Sequence, residues 1–399
     1  MGMDNAHLIP LGDDRFLWIF QDAFLDPDDT RVRIGTNSAY LHNVALLQDG
    51  NCFGLLHRGT AAAPLAFESG DVEADTGARF FWPLGGSSAG GLVKIFWAEM
   101  QHDPQTPPDT GGVLRHPVRT WLAEYDVTTL RRLSIAPAWN DRVTPQWGFA
   151  VESNESYSYL FGNSNMLTYW LVGGWFNGPH TATRMYLARV PRDRLARRPE
   201  YRTADGWSDD PAAAVPISER FWSENQMQPR LIDGQWVSVT KVDGFAGSEL
   251  VVDVADEPWG PWTTVQRSPI DPQTTAVETV TYHAMLLPWR DPSGDLIVVL
   301  SRNAKVWDVA VNGDPALYRS IVMRVPFPAP EQRVAEAPQA TALPATGAAA
   351  PVTGAATTGP PPPAPSVSTT SPPTSLPAPT TSTPSSAPTQ TEPVTSATG

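Results

Sequence analysis

The sequence up to residue 328 predicts an all-β fold. Helical periodicity is nearly absent from this region, whereas short apolar runs bounded by Gly, Pro, Asp and Asn recur along it, a pattern typical of strands and tight turns. The runs fall into five groups of about four strands each. These groups cover residues 5–57, 78–137, 144–191, 228–267 and 277–326.

Five groups of similar size predict a five-bladed β-propeller, in which each group is one radial blade. A β-sandwich is the alternative, although a sandwich of this length would be unusually large. The strands predicted for the five groups in order are 6–11, 15–20, 41–47 and 52–57; 79–84, 92–99 and 119–126; 147–151, 157–161, 168–172 and 184–190; 229–232, 235–242, 250–254 and 262–266; 277–287, 296–301 and 318–325.

The composition of residues 329–399 predicts a disordered tail, separate from a propeller domain at 1–328. They are rich in Pro, Thr, Ser and Ala, contain no aromatic residue, and carry few charges. Such a segment cannot bury enough apolar surface to offset the entropy lost on ordering. Its composition is also typical of O-glycosylated stalks.

Charge and cysteine content narrow the possible partners. The formal net charge of −14 argues against nucleic acid and anionic membranes, and is compatible with a neutral polysaccharide. Cys52 is the single cysteine, which excludes an intramolecular disulfide and a cysteine-based metal site. We expect no metal, no cofactor and no membrane span, and the N-terminal residues do not resemble a signal peptide.

The Gly-rich segment 85–91 lies between two strands, so we interpret it as a hairpin loop and not a phosphate cradle.

The first two strands bring two aspartates together. If the hairpin turn is centred on Asp13, Leu11 faces Arg15 and Asp4 faces Asp22, with the Cβ atoms of the two aspartates about 5 Å apart. Opposed carboxylates shift their protonation equilibria apart, which leaves one as an acid and the other as a base. Asp is also common at strand ends and turns, so both a catalytic and a structural interpretation remain open.

Several short motifs resemble a family of secreted actinobacterial propeller proteins catalogued as a domain of unknown function, whose relatives include endo-D-arabinanases. No single motif is very specific, and the evidence is their order and spacing over residues 2–328. The motifs are Gly2-Met3-Asp4-Asn5-Ala6, Phe20-Gln21-Asp22-Ala23-Phe24, Leu41-His42-Asn43, Trp147-Gly148-Phe149-Ala150 with Tyr159-Leu160-Phe161-Gly162, Tyr186 to Val190, Gly260-Pro261-Trp262, Tyr282-His283-Ala284 and Ser301-Arg302-Asn303.

The resemblance implies an enzyme that cleaves cell-wall arabinan, with Asp4 and Asp22 as the catalytic pair of a two-carboxylate mechanism. It also implies a location outside the cell or at the cell wall. Relatives carry a signal and an earlier segment before the first Asp, so either the true start lies upstream of Met1 or the protein is a divergent, inactive member. We expect a monomer. The alternative is a non-catalytic glycan-binding or scaffold propeller. Leu286-Leu287-Pro288-Trp289 favours this alternative, because it lacks the His and Glu that the family usually carries there.

Other residues are candidates for substrate contact under this resemblance. His283 could bond a sugar or orient a carboxylate, although a structural strand histidine is the common case. Arg302 and Asn303 could clamp a hydroxyl or a carboxylate, or make an ion pair at a blade edge. The remaining candidates are Trp147, which either stacks on a sugar ring or packs between blades, Asn43, and Glu224 as a reserve carboxylate.

Deletion of residues 335–399 should leave the melting temperature within about 2 °C of the full chain, because this segment lacks apolar groups to bury. Thermal unfolding of the two proteins, followed by circular dichroism, measures the difference. A larger drop would mean that the tail docks on the folded body.

Overall fold

The computed structural model describes residues 2–25, 39–69, 79–102, 115–139, 145–163, 183–220, 228–242, 247–270, 278–304 and 315–329. The chain divides into two units, 1–340 and 341–399, and every described residue belongs to the first. The predicted tail from residue 330 onward therefore lies outside the described residues, as does the predicted strand at 168–172.

The regular secondary structure of the described residues is almost entirely β-strand, which confirms the all-β prediction. Of the described sheets, five that have three to six strands follow one another along this part of the chain, and all five are antiparallel. Their strands, from the innermost outward, are His7–Gly12, Arg15–Phe20, Val44–Asp49 and Cys52–Leu56 in the first sheet; Arg79–Ala89, Leu92–His102, Arg115–Asp126 and Arg132–Pro137 in the second; Gln146–Ser153, Tyr157–Asn163, Thr183–Pro191, Glu200–Arg202 and Trp207–Ser208, with Ser218–Arg220 beside the third strand, in the third; Arg230–Ile232, Gln235–Val242, Glu249–Ala255 and Thr263–Pro269 in the fourth; and Thr279–Arg290, Leu296–Ala304 and Ile321–Val325 in the fifth.

Smaller elements complete the described part of the chain. Gly2–Met3, Ala23–Leu25 and Ala39–Leu41 form a three-stranded sheet, and Arg58–Thr60 pairs with Ala63–Leu65. The described helices are 3₁₀ turns at Pro211–Ala213 and Pro315–Tyr318. Among the described residues, no helix has the length and apolar character needed to cross a membrane.

Apolar clusters join each sheet to the next and the fifth sheet back to the first. One cluster combines Ile9 of the first sheet with Ile95 of the second. A larger cluster spans the second, third and fourth sheets, another joins the fourth to the fifth, and a further one combines Met285 of the fifth sheet with Leu8 of the first. The inner strands of successive sheets therefore follow one another in a ring, an arrangement that favours the β-propeller over the β-sandwich.

The Gly-rich segment 85–91 is not the loop that the sequence predicts. The inner strand of the second sheet continues through Ala89, and only Gly90 and Gly91 form the turn. Gly85 instead permits close packing on the third sheet, because an added Cβ there would lie 2.6 Å from the amide nitrogen of Val151. Glycine thus serves sheet packing here as well as the turn.

Gly148 and Gly91 provide a matched test of this packing, because both have φ of +80°. A Cβ at Gly148 would lie 2.6 Å from the Phe96 ring, whereas nothing lies within 4 Å of one at Gly91. We expect Gly91→Ala to lower the free energy of unfolding by about 1–2 kcal/mol, the cost of left-handed backbone. Gly148→Ala should cost about 1–3 kcal/mol more because of overpacking. Urea unfolding measures both, and equal losses would contradict the packing argument.

Candidate active site

The first hairpin places Asp4 opposite Asp22, as its sequence predicts. Leu8 faces Trp18 and Ile9 faces Leu17, and the same register continues to Met3 and Ala23. The Asp4 amide donates to the Asp22 carbonyl at 3.3 Å, and the Gln21 amide donates to the Asp4 carbonyl at 3.0 Å. The two aspartates therefore sit side by side where the innermost strand begins.

One detail of the predicted hairpin is wrong. Gly12 faces Arg15, not Leu11, because the register shifts between Pro10 and Gly12. Asp13 and Asp14 form a two-residue turn with φ of 52° and 57°. Two successive left-handed residues are typical of a type I′ hairpin turn. The shift is confined to the turn, so it does not disturb the pairing of the aspartates.

Asp22 is held by side chains from two other segments. Its Oδ1 accepts a hydrogen bond from Trp82 Nε1 at 3.0 Å and lies 3.0 Å from His42 Nδ1. The His42 ring stacks on Phe80, with their centroids 3.7 Å apart. An indole N–H can only donate, so Trp82 favours the ionised form of Asp22. These contacts fix the position of the carboxylate.

Asp4 is positioned by a residue that lies far from it in the sequence. The Tyr282 hydroxyl, at the start of the fifth sheet's inner strand, donates to Asp4 Oδ2 at 2.7 Å. Tyr318 is also buried nearby, and its pKa is raised well above 10, first by burial and then by the charges of Asp4 and Asp22. The Tyr318 phenol therefore stays protonated beside the pair.

The pair combines two buried carboxylates that are held by different partners. Asp4 is 8% exposed and Asp22 is 9% exposed, so both carboxylates are largely removed from solvent. Glycoside cleavage uses one carboxyl to protonate the leaving oxygen and another to activate water or attack carbon. Among the described residues, no group of three or more His, Cys, Asp or Glu side chains could hold a metal ion.

His283, Arg302 and Asn303 lie in the part of the fifth sheet that contains Tyr282. The His283 ring centroid is 5.0 Å from that of Tyr282, the residue that donates to Asp4. Arg302 faces Thr281 and Asn303 faces Val280 in the adjoining strand. All three predicted substrate-binding residues therefore belong to the part of the fifth sheet that reaches Asp4, and their role stays a prediction.

The other predicted binding residues have different surroundings. Trp147 is 1% exposed and packs in the core against Tyr201, at a centroid distance of 5.0 Å. Asn43 is fully buried, and its amide bonds the backbone of Glu68 and Phe81 at 2.8 Å. These contacts favour structural roles for Trp147 and Asn43. Glu224 lies outside the described residues.

Sequence reasoning missed His42, Trp82 and Tyr318 as neighbours of the pair. His42 does follow a strand immediately, and Trp82 lies near the start of an inner strand. A search for polar and aromatic residues where each inner strand begins would have found Trp82 and Tyr282. Nothing in the local pattern marks Tyr318, which ends a 3₁₀ turn.

His7 makes the stability of the folded chain sensitive to acid. Burial, followed by the charge of Arg230, lowers the pKa of His7 to about 3. The unfolded chain therefore takes up this proton first, and the contribution of neutral His7 to stability is lost as pH falls from about 6.5 towards 3. Between pH 6 and 4, His7→Gln should reduce the pH dependence of the free energy of unfolding by about 1.4 kcal/mol per pH unit. Urea unfolding over this range tests the prediction, and an unchanged slope would contradict it.

Comparison with solved structures shows a shared fold. A Bacteroides ovatus protein, named a "putative hydrolase", matches with a TM-score of 0.61 at 16% identity, over 81% of this chain and 85% of that one. A GH43_1 enzyme from Xanthomonas citri, complexed with xylotriose, matches with a TM-score of 0.43 at 12% identity, over 81% and 87%. Bacillus subtilis levansucrase gives 0.43 at 9% identity, over 82% and 85%. The last two scores are too low to support an argument.

Sequence comparison gives one family. No curated protein matches the chain. The model of the family described as "Domain of unknown function (DUF5005)" matches residues 1–325, which include all five sheets. Because this match covers most of the sequence, the chain belongs to the DUF5005 family.

Proposed function

We propose that this protein is a glycoside hydrolase that cleaves a furanoside polysaccharide of the arabinan type, with Asp4 and Asp22 as its two carboxylates. The observation that carries the proposal is the opposition of these aspartates where the innermost strand begins, each held by a side chain from another sheet. We infer that each of the five sheets is one propeller blade and that the pair lies at the end of the central channel.

The hydrogen bonds suggest how the two carboxylates divide the work. Asp22 receives the donor-only indole N–H of Trp82, which suits a carboxylate that remains ionised and acts as the base or nucleophile. The Tyr282 hydroxyl beside Asp4 can donate to an ionised carboxylate or accept from a protonated one. Asp4 is therefore suited to be the acid that gives its proton to the leaving oxygen.

Three further features support a carbohydrate substrate. The acidic chain disfavours polyanions as ligands. Trp82, Tyr282 and Tyr318 surround the pair with aromatic rings that carry polar tips, side chains well suited to amphipathic ligands such as sugars. The Bacteroides ovatus protein that shares the fold is named a "putative hydrolase". We propose that the protein acts as a monomer at the cell wall, outside the cell.

A non-catalytic glycan-binding propeller is the second candidate. The low exposure of both carboxylates favours it, as does the double contact of Asp22 Oδ1 with Trp82 and His42. A carboxylate already occupied in this way is harder for a substrate to reach. In this case the pair would bind sugar hydroxyls without transferring a proton.

Asp22→Asn should reduce the release of oligosaccharides from arabinan on the order of 100-fold or more, because a catalytic acid or base is lost. The amide oxygen can still accept from Trp82, and repulsion with Asp4 is removed, so stability should be retained or rise slightly. Chromatography of the released sugars and thermal unfolding measure the two effects.

Asp13→Asn is the matched control, because it makes the same chemical change in the exposed turn of the same hairpin, where φ of 52° suits Asn. It should release sugars at the wild-type rate. Unchanged release by Asp22→Asn would remove Asp22 from the mechanism. Wild-type protein that binds arabinan but releases nothing during long incubation would establish the binding function instead.

A further inference from the structure

Three side chains next to the carboxylate pair carry buried polar atoms that have no hydrogen-bond partner within the described residues. These atoms are Nδ2 and Oδ1 of Asn5, Nε2 of His7 and Nδ1 of His283. Asn5 is completely buried and His7 is 2% exposed. Buried polar atoms in native proteins nearly always have a partner, so a group of such atoms indicates a place for a ligand or for ordered water.

The three residues are connected through the start of the fifth sheet. The backbone N–H of Asn5 donates to Ser301 Oγ at 2.7 Å, and Ser301 faces Tyr282 in the strand register. His283 follows Tyr282, and a charge on His7 is close enough to lower the pKa of His283. Asn5, His7 and His283 therefore surround the point where the first sheet meets the fifth.

The backbone has an unusual conformation at two of these three residues. Asn5 has φ of 42° and His283 has φ of 49°, values that side-chain-bearing residues seldom adopt. Asn5 directly follows Asp4, and His283 directly follows the tyrosine that bonds Asp4. The register also shifts between Tyr282 and Met285. Such bulges redirect side chains next to active sites, and left-handed backbone often persists where function requires it.

The chemistry of these groups fits hydroxyls. Burial lowers the pKa of both His7 and His283 to about 3, so both imidazoles are neutral at neutral pH. A neutral imidazole nitrogen donates or accepts one hydrogen bond, and the Asn5 amide does both. A sugar hydroxyl also does both. An anionic sugar would instead lie close to the carboxylates of Asp4 and Asp22 without a matching cation from these three residues.

We propose that Asn5, His7 and His283 form a subsite that binds the hydroxyl groups of a neutral sugar unit next to the Asp4–Asp22 pair. The inference rests on the proposed function, which it extends by naming an uncharged sugar as the ligand and by adding two residues to the site. It requires these side chains to contact the sugar directly.

Asn5→Gly and His7→Phe test the subsite by different chemistry. Glycine accepts the left-handed backbone but removes the amide, whereas phenylalanine keeps the ring shape but removes both nitrogens. Each should raise the dissociation constant for neutral arabino-oligosaccharides about 10-fold, measured by calorimetry in the Asp22→Asn background so that the ligand is not consumed. With Asp22 present, each should raise KM similarly and leave kcat within about 3-fold.

Asp13→Gly is the control, because it places glycine at another left-handed position, in the exposed turn away from the subsite. Thermal unfolding of each variant checks that it is folded. Wild-type affinity in both subsite variants, with Asp22→Asn still inactive, would overturn this inference and leave the proposed function intact, since ordered water would then fill the subsite. Equal affinity for oligogalacturonates would overturn the preference for neutral sugars. Wild-type protein that neither binds nor cleaves arabinan would overturn both proposals, whereas binding without cleavage, lost in both variants, would support the subsite alone.

Discussion

The geometry of the ring depends on the guanidinium of Arg230. This side chain lies on the inner strand of the fourth sheet and is 7% exposed. It donates to the carbonyls of Leu8 at 3.0 Å and Leu286 at 3.3 Å, and to the Glu152 carboxylate at 3.0 Å. A single cation thus connects the inner strands of the first, third, fourth and fifth sheets. Removing one partner of such a buried pair typically costs about 3–5 kcal/mol, because the other charge is left uncompensated.

Arg230 also sets the electrostatics of the interior. Burial raises the pKa of Glu152, and the opposite charge of Arg230 counteracts this effect. The same positive charge adds to burial in lowering the pKa of His7. The cation that connects the inner strands therefore also helps to keep an imidazole near the carboxylate pair uncharged. One side chain therefore connects the inner strands and also influences the charge of His7.

The parts of the site that the sequence predicts are those set by local geometry. The opposition of Asp4 and Asp22 follows from a short hairpin, because turn position fixes the register for the whole strand pair. The sequence alone does not pair Trp82 and Tyr282 with these aspartates, because the two contacts join residues that are far apart in the chain. Trp82 lies 60 positions from Asp22, and Tyr282 lies 278 positions from Asp4. Only the closed ring brings them together. The sequence predicts a loop at Gly85 for a related reason. The backbone of Val151, which requires a glycine there, belongs to the next sheet.

The candidate site therefore joins a local pair to distant partners. The N-terminal residues reach the fifth sheet and its flank at three points: Met3 bridges Arg319, the Asn5 amide donates to Ser301, and the Tyr282 hydroxyl donates to Asp4. Each point links the first residues of the chain to residues near position 300, so none can form before the first and fifth sheets meet. Two carboxylates on an isolated hairpin would repel each other in water with few donors nearby. In the closed ring they are removed from solvent and contacted by Trp82, Tyr282 and His42, so closure of the ring supplies the polar partners that the pair would lack on an isolated hairpin.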